Sequence, residues 1–349
     1  HVLGADTRLT TSAVLVRTGQ NAGTVTLVAG GDTTLAPDLG DPAEVMGYSG
    51  MGDLAQAVAL ELRRSSIETV NVRLDDTIFS GPALYPDWEW SPGSTWGAPV
   101  TPLAIMDGRA GAGFDAMSYF ADPALAAAEQ FRRLLAAAGA DSSLALPTLN
   151  VSGNVSRAAA PANAEPLAAV ESASMTQVVL HTVRASDNNL SESLGRMAAV
   201  RAGLPGSFEG CAAVVERALD ELGVPTAGLV IDDCSGLSHS STVPATTLAG
   251  ALALAADPGS TDLGTVLRAL PVGGLQGTLA KRFDEGSLAA GSVRAKTGTL
   301  TGVTALSGLV QTASGRELVF SVVAHPGETI WTDLARQSID RFISGLAAL

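Results

Sequence analysis

Along the first part of the chain, apolar and β-branched residues fall into short runs with two distinct periods. Thr24-Val25-Thr26-Leu27-Val28 has a strand pattern and stops at Gly30-Gly31-Asp32, which predicts a strand ending in a tight turn. From Asp53 to Arg64 the pattern turns helical, with Leu54, Val58, Leu60 and Leu62 on the apolar side. A second strand pattern runs from Ile67 to Leu74 and completes a strand-helix-strand unit. Residues 82–120 lose periodicity and hold Trp88, Trp90 and Trp96 among Pro and Gly. That stretch is read as an irregular loop whose indoles cover a small core, with a ligand platform as the alternative. Ala124 to Ala138 is helical again, with Phe131, Leu134 and Leu135 along one side, and Ala158 to Pro166 is an Ala/Pro-rich connector.

The second half reads differently. A short strand is expected at Ala168–Ser172, and Met175–Val200 is helical except for a polar interruption at Ser186–Asn189. Helices follow at Cys211–Leu222, Thr246–Ala256 and Leu263–Leu270. Val303–Gln311 and Glu317–Val323 flank Ala313-Ser314-Gly315-Arg316, which predicts a β-hairpin. The last helix, Trp331–Leu346, is read with Leu334, Phe342, Ile343 and Leu346 on one face. At the other end, His1-Val2-Leu3-Gly4 and the run to Thr11 read as the end of a helix entering a strand, so the chain is expected to open within a domain. Strands packed with terminal helices predict an α+β fold, made from residues 1–20 and 166–349 and interrupted by an inserted α/β domain over 21–165.

Composition narrows the function. Hydrophobic residues make up 46% and aromatics 4%, so the core is built from Ala, Val and Leu. The net charge of −14 argues against a nucleic-acid partner, which needs clustered Lys and Arg, and against adsorption to an anionic membrane. No apolar run approaches the ~20 residues of a spanning helix; Leu248–Ala256 is short and reads as a packed helix. The two cysteines, Cys211 and Cys234, fit either one disulfide in an exported protein or two buried thiols. No zinc spacing is present.

The strongest chemical signal is Arg294-Ala295-Lys296-Thr297-Gly298-Thr299. Only two of the 21 basic residues are lysines. A lysine on a strand entering Thr-Gly-Thr therefore suggests chemistry for which a compact, titratable charge suits better than a guanidinium. The second signal is Ser186-Asp187-Asn188 inside a helical pattern about a hundred residues earlier. A hydroxyl and a carboxamide two positions apart can relay a proton and hold a substrate amide, although the same triplet also serves as a helix cap.

In this order the two segments resemble the penicillin-recognising serine enzymes, whose signatures are Ser-x-x-Lys, Ser-x-Asn and Lys-Thr-Gly. Leu27-Val28-Ala29-Gly30-Gly31-Asp32, the Trp88–Trp90 loop, Asp233-Cys234-Ser235-Gly236-Leu237-Ser238 and Leu270-Pro271-Val272-Gly273-Gly274 with Gly277-Thr278-Leu279 resemble the class C low-molecular-mass penicillin-binding proteins. The resemblance implies a serine β-lactamase/transpeptidase-like domain, an antiparallel sheet flanked by helices, carrying the insertion. It implies a serine D-alanyl-D-alanine carboxypeptidase/endopeptidase that acts on peptidoglycan stem peptides through an acyl-enzyme, binds β-lactams, and works outside the cytoplasm in the cell envelope or as a secreted protein.

Carried onto this sequence, Ser186 would pass a proton to the leaving amine and Asn188 would bind the peptide amide. Lys296 would hold Ser186 and the electrostatics of the cleft. Thr297 and Thr299, flanking Gly298, would meet the terminal carboxylate, and the Thr299 N–H would form half of an oxyanion hole, an element whose loss costs ~2.7–4 kcal/mol. No Ser-x-x-Lys occurs in the 349 residues. The family pattern places the nucleophile, with its motif lysine as base, about a dozen residues before His1, so a truncation or a chain break is expected; the resemblance implies no metal or organic cofactor. A Ser-His-Asp hydrolase is disfavoured because there is no Gly-x-Ser-x-Gly. A β-lactamase of the same fold and a non-catalytic peptidoglycan-binding envelope module are the alternatives.

Overall fold

A computed structural model describes residues 1–88, 90–91, 96–110, 118–143, 146–260, 263–283, 286–325 and 329–349. In chain order the first elements are β1 (Thr10–Arg17), β2 (Ala22–Val28), α1 (Met51–Arg64), β3 (Thr69–Asp75), α2 (Pro123–Gly139), β4 (Asn150–Arg157) and β5 (Glu165–Glu171). There follow the helices α3 (Met175–Ala185), α4 (Asn188–Arg201), α5 (Phe208–Glu221), α6 (Ala245–Ala256) and α7 (Gly264–Ala269). The chain ends in β6 (Val293–Leu300), β7 (Val303–Gln311), β8 (Glu317–Ala324) and α8 (Thr329–Ala347). Residues 1–9 hold no helix before β1, contrary to the reading of a helix end there. The irregular 82–120 stretch lacks long elements where it is described; residues 89, 92–95 and 111–117 lie outside the described residues.

The chain forms two compact units. One, residues 6–177 with 188–211, is built on a five-stranded sheet in the order β4-β3-β2-β1-β5. The crossover through α1 makes β2 and β3 parallel, and the crossover through α2 does the same for β3 and β4, as each strand-helix-strand step requires. β1 runs antiparallel to both β2 and β5. Leu54, Val58 and Leu62 of α1 and Phe131 and Leu135 of α2 are buried with Leu15, Val25, Leu27, Val72 and Leu74 of the sheet. The expected insertion, 21–165, omits both β1 and nearly all of β5, whereas the structure pairs each into this sheet. The strands on either side of the insertion are thus part of its own hydrogen-bonded ladder.

The Gly-Gly-Asp turn has a steric cause. A Cβ on Gly30 would lie 1.8 Å from the Thr10 carbonyl oxygen, and Gly31 adopts φ +90°. Asp32 then turns its carboxylate inward, where Oδ1 accepts from the Thr34 backbone N–H at 2.8 Å and its hydroxyl at 2.7 Å.

The other unit, residues 1–5, 178–187 and 212–349, contains the antiparallel sheet β6-β7-β8. Its core joins Val293 and Ala295 of β6, Leu306 and Val310 of β7 and Phe320 of β8 to Ile339, Ile343 and Ala347 of α8. These helix residues recur at i, i+4 and i+8, so they define the buried stripe. The expected apolar face is corrected in part: Ile343 is buried, but Leu334 and Phe342 are about half exposed. Gly308 lets β7 approach β6, since a Cβ there would lie 2.0 Å from the Arg294 carbonyl oxygen and 2.6 Å from Ala295 Cα.

Candidate active site

Ser186 lies at the junction where α3 ends and α4 begins. Its φ is +57°, a left-handed conformation uncommon for a residue with a Cβ, and the next N–H, of Asp187, donates back to the Thr182 carbonyl at 3.0 Å. That bond closes the end of α3 and leaves the Ser186 side chain displayed at the break. Strained single residues of this kind cost about 1–3 kcal/mol and concentrate at functional sites.

Lys296 comes from the middle of β6, 110 residues away, and its ammonium donates to Ser186 Oγ at 2.6 Å. A second ammonium hydrogen goes to the Thr297 carbonyl oxygen at 2.9 Å. Lys296 is largely withdrawn from solvent, and this desolvation lowers its pKa from the ordinary lysine value. No carboxylate forms an ion pair with it among the described residues. The Ser186–Lys296 pair is therefore a charge-assisted donor–hydroxyl contact. Because the lysine donates, the Ser186 hydroxyl keeps its own proton to give elsewhere.

The rest of the Lys-Thr-Gly segment lies along the same strand. The Thr297 hydroxyl donates to Thr278 Oγ at 2.9 Å. Ala295 N–H donates outward to the Pro271 carbonyl at 3.0 Å, while Gly273 N–H donates to Val293 O at 2.9 Å. The segment around Val272 thus pairs along the first half of the β6 edge and stops there. Alternation along the strand directs the Thr297 and Thr299 N–H groups to the same outer edge, beyond that segment. Gly298 pairs opposite Ala305, and a Cβ on it would meet only the Ala305 Cβ at 3.4 Å. The fold itself does not demand glycine there, and a side chain would occupy the open strand surface.

Asn188 is the first residue of α4, and its Nδ2 donates to the Trp96 carbonyl at 2.6 Å. The neighbouring Asn189 accepts from Ala98 N–H at 2.7 Å and donates to Asp107 O at 3.3 Å. The Trp loop is thereby fastened to the start of α4, and the Trp96 side chain is exposed. Trp88 and Tyr85 instead meet the Phe208 ring edge-on at 5.3 and 5.2 Å, with Arg196 stacked 4.2 Å over it. Covering a small core is what Trp88 does; Trp96 is a different case.

Two residues were given no role in the site from sequence. Thr278 touches the Lys-Thr-Gly segment directly, and its Gly-Thr-Leu context was the only signal. Arg196 is fully buried, held by the Pro82 carbonyl at 2.9 Å and by Phe208. Burial draws its pKa down to about 10, and Glu192 and Glu209 oppose the shift. The Glu192–Arg196 spacing on α4 was the available hint. Asp233 ties its own turn by accepting from Gly236 N–H at 2.7 Å and Ser238 N–H at 2.6 Å. Neither cysteine is free: Cys211 and Cys234 are disulfide-bonded, which closes the alternative left open by their spacing.

A mixed fold, a hydroxyl–lysine pair and a Thr-Gly-Thr strand edge are the features expected of the penicillin-recognising serine enzymes. Comparison with known proteins agrees: residues 1–117 and 109–345 match the D-Ala-D-Ala carboxypeptidase 3 (S13) family, and the chain belongs to that family. It is 35% identical over 334 residues to carboxypeptidase Rv3627c of Mycobacterium tuberculosis, covering 93% of this chain and 68% of that protein. Carboxypeptidase DacB of Mycolicibacterium smegmatis is 34% identical over 331 residues, covering 93% and 67%. Penicillin-binding protein 4 of Haemophilus influenzae shares the fold, with a TM-score of 0.76 at 20% identity over 100% of this chain and 88% of that one. The same protein complexed with a β-lactam gives 0.73.

Proposed function

We propose that this protein is a serine-type D-alanyl-D-alanine carboxypeptidase/endopeptidase that processes peptidoglycan stem peptides and is acylated by β-lactams. The observation that carries the reading is the 2.6 Å bond from Lys296 Nζ to Ser186 Oγ. In this arrangement a serine nucleophile attacks the carbonyl of the penultimate D-Ala. The amide C–N bond breaks as Ser186 delivers its proton to the leaving amine and takes up the nucleophile's proton in exchange, passed through the lysine base of the Ser-x-x-Lys signature, while Lys296 holds the Ser186 oxygen. Asn188 binds the peptide amide. The Thr297 and Thr299 hydroxyls receive the terminal carboxylate, and the outward Thr299 N–H stabilises the developing oxyanion. Water then hydrolyses the ester, releasing the acid and regenerating the serine.

Such a substrate places the protein outside the cytoplasm, and the net charge of −14 is consistent with a soluble surface. No helix among the described residues is long and apolar enough to cross a membrane.

The test is intact-mass analysis of the natively purified protein with and without benzylpenicillin, followed by peptide mapping of the acylated serine. A covalent adduct on wild type, lost by 10²-fold or more in rate in Lys296→Ala with the circular dichroism unchanged, is the expected result. No adduct on wild type would refute the enzyme and bring forward the peptidoglycan-binding module. Rapid turnover of the adduct would instead favour a β-lactamase.

A further inference from the structure

The turn that carries Thr278 is held more firmly than an exposed loop residue requires. Leu279, the next residue, is fully buried in the core that α8 closes. Its carbonyl accepts from the Gly274 and Arg282 N–H groups, each at 3.0 Å. Phe283 then turns the chain with φ +66°, a left-handed conformation that strains a bulky residue. Its ring packs so close to Gly273 that a Cβ there would lie 2.8 Å from it. Arg282 donates to the Asp340 carboxylate on α8 from Nε, at 3.1 Å, and from Nη2. These two side chains are 11% and 22% exposed, so the two-point pair is largely shielded from water. Asp340 takes up the guanidinium charge, which makes Arg282 a clamp rather than a partner for an incoming anion. All of these residues lie in the same compact unit as β6.

What the clamp presents is a hydroxyl. The Thr297 hydroxyl donates to Thr278 Oγ1 at 2.9 Å, and both residues border the open groove beside β6. An ionised carboxylate only accepts hydrogen bonds, whereas the Thr297 proton is directed at Thr278. To meet the terminal carboxylate the Thr297 hydroxyl has to turn, and Thr278 Oγ1 then loses the proton it was accepting. Thr278 has a proton of its own, and rotation about its C–O bond lets it donate to Thr297 Oγ1. The pair thus reverses without breaking a covalent bond: Thr278 gives to Thr297, and Thr297 gives to the anion. A donor chain of this kind polarises its last member and strengthens the bond that member makes.

We propose that Thr278 is a positioning residue of the carboxylate site. It holds the Thr297 proton in the free protein and backs the Thr297 hydroxyl when the anion binds, while the Arg282–Asp340 pair fixes its place. The proposal rests on the peptidase reading above and adds to it a residue outside the Lys-Thr-Gly segment.

The experiment titrates N-acetyl-D-alanine, a stand-in for the substrate terminus, into the full protein by NMR. The neutral N-acetyl-D-alanine methylamide is the control, and benzylpenicillin acylation is measured alongside. Thr278→Val should weaken carboxylate binding about two- to tenfold, the range of a single hydrogen bond, and leave the amide unchanged. Thr278→Ser should restore it. With a pentapeptide substrate Thr278→Val should raise KM and spare kcat, because the carboxylate is held before and during the reaction. Asp340→Asn should give a loss of similar size, and combining it with Thr278→Val should add little, since both act through one hydroxyl. If Asp340→Asn unfolds, Arg282→Lys, which keeps the charge but loses the two-point contact, takes its place. A wild type that binds carboxylate no better than amide, or a Thr278→Val variant with undiminished carboxylate affinity, overturns the proposal. An equal loss for carboxylate and amide also overturns it, because that reports general damage, and additive losses in the double variant remove the clamp. Absence of a penicillin adduct on wild type refutes the peptidase reading separately, and the titration still decides the role of Thr278 because it needs no nucleophile.

Discussion

Asp32 offers the sharpest test of how burial sets energetics in this chain. It is 1% exposed, and burial raises its carboxyl pKa from 3.8 to about 6, against the opposing hydrogen bonds from the Thr34 backbone and hydroxyl. Its Oδ2 is buried without a hydrogen-bond partner. At 1.36 kcal/mol per pKa unit, the gap between 3.8 and about 6 corresponds to about 3 kcal/mol of folding free energy. The sign follows from proton counting. Between about pH 4 and 6 the unfolded chain has released this proton while the folded chain keeps it, so stability falls as pH rises through that window. Asp32→Asn removes the titration. Its carbonyl oxygen can still accept from Thr34, and its amide group at the Oδ2 position adds a pH-independent cost of about 1–3 kcal/mol. The variant should therefore be the less stable protein at pH 4 and should close or reverse the gap by pH 7.5. Urea unfolding followed by tryptophan fluorescence measures this, since Trp88, Trp90 and Trp96 lie in the same compact unit as Asp32. Other carboxylates titrate in both proteins, and the difference between the two curves isolates Asp32. A wild-type minus variant difference that stays constant within about 0.5 kcal/mol from pH 4 to 7.5 would refute the reasoning.

Two further outcomes follow from the site and its support. Because burial lowers the Lys296 pKa, the alkaline limb of the acylation profile should fall below the ordinary lysine range. Lys296→Arg, whose guanidinium stays charged, should lose rate but carry that limb to higher pH, and an unmoved limb would assign the titration to another group. Gly308→Ala drives a Cβ into the Arg294 carbonyl and the Ala295 backbone, so it should destabilise by about 1–3 kcal/mol and lower the melting temperature; an unchanged melting temperature would mean β7 moves aside freely.

The periodic elements were legible because their patterns are local. The α1 and β3 signals lie within about ten residues each, and the observed helix and strand fall where those patterns do. The break at Ser186 was legible for the same reason, as polar residues interrupted a helical run. The domain division was not, because β1 pairs with β2 nearby and also with β5 about 150 residues later. Nothing in the composition of either strand announces that partner. The α8 face failed for a different reason. Selecting the largest apolar residues picked Leu334 and Phe342, whereas the packed stripe is Ile339, Ile343 and Ala347, in which an alanine supplies the close approach. Asp32 read as an ordinary turn residue, since burial of a short polar side chain leaves no mark on the sequence.

Sequence placed Ser186 and Lys296 in one mechanism but could not say what brings them together. The structure supplies a backbone answer. Lys296 sits on a strand pressed close to β7 at Gly308, with the segment around Val272 paired to its first half. Ser186 sits at a left-handed junction closed by the Asp187-to-Thr182 bond. Both ends of the 2.6 Å contact are thus fixed by main-chain hydrogen bonds rather than by flexible side-chain packing. Desolvation of the lysine and retention of the hydroxyl proton both follow from that placement. A change that leaves the Lys296 side chain intact but shifts β6, as Gly308→Ala does, should therefore slow acylation as well as weaken the fold. A Gly308→Ala variant with lowered stability but an undiminished acylation rate below its melting transition would show that the contact does not depend on the strand's position.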